Sequence, residues 1–280
     1  MFSAIISLGG IGLVAATALG IAAKKFAVEV DPRELAIQDV LPGANCGACG
    51  YPGCSGFAKG VAEGKASPTA CTPGGAEVIE AIASVLGIEP ITVEPKVAIV
   101  ACQGDNVKAS VKYRYLGLND CNAAQKIADG PKVCPGGCLG LGSCELACPF
   151  GAIEMTSDKL AVINRDKCTG CEKCISVCPR QVIHMTPRKA TTHVLCNSHD
   201  KGALIRGYCK IGCIGCHICN KTVPGAYVIE KFLARTNYEQ LDELENIELA
   251  VEKCPTKCIR DFSNGYPQGS SFAPPRNTAA

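Results

Sequence analysis

Apolar and polar positions divide the chain into an uninterrupted apolar start and a patchwork behind it. Ala4 to Ala23 is 20 residues without a charge, close to the ~20 that an α-helix needs to cross a bilayer's hydrocarbon core. Lys24 and Lys25 follow directly, and only Met1 to Ser3 precede the run. By the positive-inside tendency the pair keeps the C-terminal side in the cytoplasm. The expectation is a single-pass anchor in the cell inner (cytoplasmic) membrane, with everything after it on the cytoplasmic side. A cleaved signal peptide is the competing reading, but no Lys or Arg precedes the apolar run and the charges lie on its far side. Gly12, Ala16 and Gly20 recur every fourth residue. They form either a stripe that admits a second helix or the small residues that such spans commonly hold.

Behind the anchor the pattern changes period. Phe26 to Arg33 is a short polar connector, and Asp31 to Gly43 (DPRELAIQDVLPG) opens on Asp-Pro and stops at Pro-Gly, which predicts a helix. Gly74 to Ile88 predicts an amphipathic helix with Val78, Ile82, Val85 and Leu86 on one face, residues of a core rather than a site. Val97 to Ala101 is a strand-like apolar run leading to Cys102. From there on, cysteine rather than hydropathy sets the pattern.

The chain holds 21 cysteines in 280 residues, which disulfides, metal or catalysis must account for. Most stand two or three residues apart, too close to staple a fold, and a reducing cytoplasm disfavours bridges. Metal is the better reading. Zinc uses C-x2-C pairs too, but its modules pair two such knuckles or add spaced histidines, and none of the four histidines here pairs with one. Net charge is +2 and aromatics are sparse, so no nucleic-acid surface is indicated. The 30 glycines and 17 prolines suit loop-rich cluster-binding folds.

The spacings select iron-sulfur clusters of the 4Fe-4S type. Cys46, Cys49, Cys54 and Cys71 read C-x2-C-x4-C-x16-C in a small domain. Three ligands come from one tight loop and a fourth returns from elsewhere, while interleaved glycines let backbone N–H groups point at sulfur. Cys168, Cys171, Cys174 and Cys178-Pro179 form a C-x2-C-x2-C-x3-C-P run, preceded by Cys144-x3-Cys148-Pro149. In two-cluster ferredoxins the fourth cysteine of each run serves the other cluster. Cys148 therefore joins Cys168, Cys171 and Cys174, and Cys178 joins the first run. That run departs from the pattern, since Leu141 stands where its second cysteine belongs. Cys138, Cys144 and Cys178 are assigned together, with Cys134 as the expected fourth.

An internal repeat organises the remainder. Cys121 to Cys144 aligns without gaps on Cys196 to Cys219 at an offset of 75 residues, with four cysteines coinciding, which reads as a pair of ferredoxin-like modules. In the second copy Cys213, Cys216 and Cys219 restore C-x2-C-x2-C, Val223-Pro224 replaces the fourth Cys-Pro, and Leu241 to Val251 lacks cysteine. One cluster of this pair is lost, and Cys254-Pro255 supplies the remote ligand for the other. Four clusters are thus assigned and five are possible. Cys102, Cys121, Cys196 and Cys209 are either the source of a fifth or inert thiols, and Cys258 is read as a thiol near the tail.

Other candidates receive plainer readings. His217 lies inside a cluster loop as an interleaving residue rather than a ligand. No G-x-G-x-x-G, P-loop or nucleophile elbow occurs, so no nucleotide site, flavin site or catalytic residue is expected. Lys167, Lys173, Arg180, Arg188 and Lys189 form either a face for an acidic redox partner or a solvated surface. The Gly-, Pro- and Ser-rich tail after Asp261 is expected to be disordered.

An apolar span, NCGACGYPGC with Cys71, Asp120-Cys121, GCLGLGSC, CPFGAI, a full ferredoxin run and CIGCHIC, in that order, resemble the RnfB family of the Rnf electron-transport complexes. The resemblance covers nearly the whole chain; the extra cysteines and the eroded repeat touch the cluster number, not the class. It implies an iron-sulfur subunit of a membrane ferredoxin:NAD oxidoreductase that couples electron flow to sodium or proton translocation. Such a protein takes electrons from soluble ferredoxin and relays them, through the Cys46 cluster, to the other subunits of the membrane complex. The flavin and NAD chemistry would lie in those subunits. An iron-sulfur subunit of another membrane oxidoreductase, or a zinc-binding interaction module, are the alternatives. The expected fold is α+β: a transmembrane anchor (1–25), a 4Fe-4S domain with its linker (26–90), ferredoxin-like modules at 91–190 and 191–262, the second partly eroded, and a tail (263–280).

Overall fold

A computed structural model describes residues 2–26, 31–241, 244–263 and 265, the side chains of residues 2–8 excepted. Helix α1 runs Phe2–Lys25. Among the described residues no helix is long and apolar enough to cross a membrane, and the first five positions of the expected span, 4–8, lie outside the described side chains. From Gly9 on, α1 is apolar on every face and exposed, with Ile11, Leu13, Val14, Leu19 and Ile21 all mostly in the open. Of the tail expected to be disordered, all but Ser263 and Gly265 lies outside the described residues.

Three helices make the first packed unit. In α2 (Pro32–Val40) Asp31 caps the helix, its side chain accepting the Arg33 N–H at 2.8 Å, and Pro32 occupies the first turn, where its missing donor costs nothing. Helices α3 (Cys54–Ala62) and α4 (Gly75–Leu86) close on it. Ile37, Leu41, Phe57, Ala58, Val61 and Ile82 are buried together, each large side chain contributing roughly 1.5–3 kcal/mol. Val78, Val85 and Leu86 pack against this core, as the amphipathic reading expects, though Ile79 and Ala83 are buried more deeply.

Beyond α4 the same strand arrangement occurs twice. Strand β1 (Lys96–Val100) pairs antiparallel with β4 (Ile183–Pro187), and the short β2 (Ile153–Met155) and β3 (Ala161–Ile163) form a hairpin between them in sequence. In the second copy β5 (Thr192–Val194) pairs with β8 (Ile259–Asp261) around the hairpin of β6 (Tyr227–Glu230) and β7 (Leu233–Thr236). First strand against last, with a hairpin nested inside, brings the ends of each copy together. Each copy has its own core, Val97, Leu160, Val182 and Ile183 in one, Tyr227, Leu233, Ala250 and Ile259 in the other. Strand β1 begins one residue before the apolar run and ends one before Ala101, whose N–H bonds to the Val182 carbonyl past the paired segment.

The loops between strands are shaped by left-handed residues at corresponding points. Gly170 and Gly215 hold φ of +72° and +62°, and a Cβ there would stand 2.6 Å from the Lys96 carbonyl oxygen and 2.7 Å from that of Phe232. Only glycine permits both the backbone angle and that approach. Two residues further on, Glu172 and His217 take φ of 61° ahead of short helices. His217 is exposed there.

Candidate metal centres

All 21 cysteines are free thiols, and the fold gathers them into five groups. In the first unit, Cys46, Cys49 and Cys54 are half-buried on a loop that Asn45 ties off by accepting the Cys54 N–H at 2.9 Å. Cys71 returns to this loop between two 3-10 turns. Burial raises the Cys71 thiol, and like charge from Cys49, Cys54 and Cys46 raises it further, as four converging thiols require.

Four cavities in the repeated part are lined by the rest. Cys148, Cys168, Cys171 and Cys174 surround one, the grouping that the ferredoxin run predicts. Cys213, Cys216, Cys219 and Cys254 surround another, joined by Cys258. A third holds Cys138, Cys144 and Cys178 with Cys121 and Leu141. Cys134, expected there, lines the fourth cavity instead, with Cys102, Cys196 and Cys209. The cause is local. Asp120 caps the short helix that Cys121 opens, Ser143 donates to Asp120 at 2.9 Å, and the Cys121 N–H donates to the Ser143 hydroxyl at 2.6 Å. Cys121 is thereby stitched to the residue beside Cys144.

Each cavity suits a bulky sulfur-bound group. The space between the thiols of each, together with the solvent it opens onto, is about 330–400 Å³. Among the described residues no three Cys, His, Asp or Glu side chains converge closely enough to hold a single metal ion. The thiols stand around cavities instead, and backbone donors already point at their sulfurs: Ala98 N–H to Cys168 at 3.4 Å, Ala152 to Cys148 at 3.3 Å, Gly104 to Cys102 at 3.3 Å and Ala234 to Cys213 at 3.5 Å. Such donors favour thiolate over thiol and tune a bound cluster.

Burial works the other way on the free thiols. It pushes Cys134 up to about 11 and Cys138, Cys174 and Cys196 up to about 12. Cys254 and Cys213 are held low by hydrogen bonding with the Cys258 thiol, whose sulfur lies 3.7 Å from that of Cys254. Cys258 occupies the fourth position after its Cys-Pro corner, as do Ala152 and Val182 after theirs, and all three are 2% exposed. It is thus a buried neighbour of this cavity.

The groups are neighbours in series. Cys171 feels Cys46, Cys144 feels Cys174, Cys138 feels Cys102, and Cys196 feels both Cys102 and Cys213. Cys102 and Cys134 come from the first copy and Cys196 and Cys209 from the second, so their cavity joins the two. Cys216 at one end is exposed and Cys46, Cys49 and Cys54 at the other are half-buried, while the groups between mix buried thiols with the half-buried Cys121, Cys148, Cys171, Cys178 and Cys209. Of the five basic residues read as a partner face, Lys167, Arg188 and Lys189 are exposed. Arg180 does not belong with them. It is 7% exposed and donates to the carbonyls of Cys134, Pro135 and Asp129.

Comparison with known proteins supports iron-sulfur clusters in three stretches of the chain. Family models match at residues 41–73 (putative Fe-S cluster), 132–185 (4Fe-4S dicluster domain) and 210–261 (4Fe-4S single cluster domain of ferredoxin I). Cys102, Cys121, Cys196 and Cys209 lie outside all three. Three relatives, each the B component of its complex, are similar over most of this chain. That of the ion-translocating oxidoreductase complex of Methanosarcina acetivorans is 38% identical over 92% of this chain and 97% of its own. That of the Na(+)-translocating ferredoxin:NAD(+) oxidoreductase complex of Acetobacterium woodii is 39% identical over 90% of this chain and 75% of its own. That of the proton-translocating ferredoxin:NAD(+) oxidoreductase complex of Clostridium ljungdahlii is 40% identical over 91% and 90%.

Proposed function

Because the chain belongs to the RnfB family of ion-translocating (Rnf) oxidoreductase complexes, we propose that it is the iron-sulfur electron relay of a ferredoxin:NAD oxidoreductase. The observation that carries this reading is the series of five cysteine groups, each the neighbour of the next, with the exposed Cys216 at one end. Five clusters are assigned, one more than the spacings alone supply. Their ligands are Cys46, Cys49, Cys54 and Cys71; Cys148, Cys168, Cys171 and Cys174; Cys121, Cys138, Cys144 and Cys178; Cys102, Cys134, Cys196 and Cys209; and Cys213, Cys216, Cys219 and Cys254. Bound 4Fe-4S groups supply one-electron storage at potentials that the surrounding hydrogen bonds and burial set. The chain's residues do the rest: they fix the order of the sites and leave Cys216 at one end open to a partner.

Soluble ferredoxin docks at the Cys216 end in this reading, and the Cys46 end, nearest in sequence to α1, faces the membrane subunits. Helix α1 is the single-pass membrane anchor, its apolar residues exposed on every face because lipid covers them, and Lys24 and Lys25 hold the cysteines on the cytoplasmic side. Relatives named for sodium and for protons match this chain equally well, at 39% and 40% identity, so what they share with it is the electron path rather than the choice of ion. Iron and acid-labile sulfide in anaerobically purified chain test the assignment. Five 4Fe-4S groups require about 20 of each per chain, with reduction by reduced ferredoxin; zinc without sulfide would overturn it.

A further inference from the structure

The cavity that joins the two copies contains a feature that the other three lack. Lys132, two residues before Cys134, lines it and is only 1% exposed. Its ammonium donates to the Gly104 carbonyl oxygen and, among the described residues, forms no ion pair. The nearest acidic side chain in sequence to that carbonyl, Asp105, is committed elsewhere, accepting from the Val107 and Lys108 backbone and pairing with the Lys108 ammonium. A buried ammonium without a counter-charge costs several kcal/mol, and one carbonyl dipole does not offset that. The cavity wall around it is otherwise thiols, apolar carbon and neutral polar groups. The neighbouring cavity has Arg180, but that guanidinium is spread over three carbonyls and the Gln125 side chain at 2.5 Å. Lys132 is the cation whose charge is left for the cavity's occupant.

We propose that Lys132 is the fixed counter-charge of a 4Fe-4S cluster held by Cys102, Cys134, Cys196 and Cys209, and raises that cluster's reduction potential. The inference rests on the five-cluster reading. Four thiolates give the bound group a net negative charge, and the electron gained on reduction makes it more negative, so a nearby buried cation stabilises the reduced form more than the oxidised one. Lys132 acts as a positioning residue: it ligates nothing and moves no proton.

The test uses the full chain, anaerobically purified with its clusters, and reads iron content together with midpoints from an electron paramagnetic resonance titration. Lys132→Met is expected to keep its iron and shift one midpoint downward by at least tenfold in the reduction equilibrium, about 59 mV for one electron, while Lys132→Arg leaves the midpoint near that of the parent. Loss of about four irons in Lys132→Met but not in Lys132→Arg also supports the proposal, since the charge is then needed to hold the group at all. An unmoved midpoint with iron intact overturns it, as does iron loss in both variants, which marks a packing role. Cys209→Ala separates the underlying reading: if it loses no iron, the fifth site fails whatever Lys132 does.

Discussion

Leu141 and Cys216 occupy the same position in the two copies, 75 residues apart, and each lines the cavity of its own copy. Where Cys216 completes C-x2-C-x2-C, Leu141 leaves a gap, and Cys121 fills it from the side. Cys196, the counterpart of Cys121, is then free to face the shared cavity. This exchange predicts a rescue. Cys121→Ala should lose one cluster, about four irons, and adding Leu141→Cys should restore it, as read by iron content and resonance signal. Failure of the double variant to regain iron, with the single variant depleted, would count against the equivalence. The contiguous run from Cys168 to Cys178 is legible in sequence because all three near ligands of its cluster lie within one short loop. The Cys134 placement is not, because only tertiary packing decides which of two neighbouring cavities it lines. One signal points the right way: the repeat pairs Cys134 with Cys209, and both line the same cavity.

Strands of three to five residues carry the cluster loops. They are too short for an alternating pattern to identify, so of the eight only the Val97 to Ala101 run is readable from hydropathy. The helices are easier, since α2 and α4 each span two or more turns with a cap signal at one end: Asp31 before α2, and Gly87 in the left-handed conformation after α4. At this scale the glycines ahead of the second ligand position are the vulnerable points. Gly215→Ala forces a side chain into φ of +62° and against the Phe232 carbonyl. A cost of about 1–3 kcal/mol for the backbone angle alone is expected, seen as a lower unfolding temperature and loss of the Cys213 cluster. Gly207→Ala, in a helix with nothing within 4 Å of the new Cβ, is the control and should keep the cluster and hold or raise the unfolding temperature.

Across the whole molecule, the two copies are joined through the cavity to which each contributes two cysteines. If electrons enter at the Cys216 end, Cys209→Ala should interrupt the series. Freeze-quench resonance after mixing with reduced ferredoxin is expected to show the Cys213 cluster filling at the parental rate, with the sites beyond the missing one lagging. Uniform filling of all remaining clusters at the parental rate would sink the single-file order. Composition and motif order are enough to place the chain in its family. The serial arrangement is not readable from them, because it depends on how one copy packs against the other and leaves no trace in any local spacing.

The wide separation of the shared cysteines also has a consequence in time. Synthesis delivers the chain N-terminal end first, and domains generally fold as units in that order. The four cysteines of the first unit have all been synthesised once residue 71 is made, whereas the cavity joining the two copies lacks its last thiol until residue 209. A ribosome stalled after Cys134 has emerged and before Cys196 is made presents Cys102 and Cys134 with no partners from the second copy. The shared cavity of the series is therefore among the last parts that an iron-loading machinery can fill, and a nascent chain is most open to misloading there.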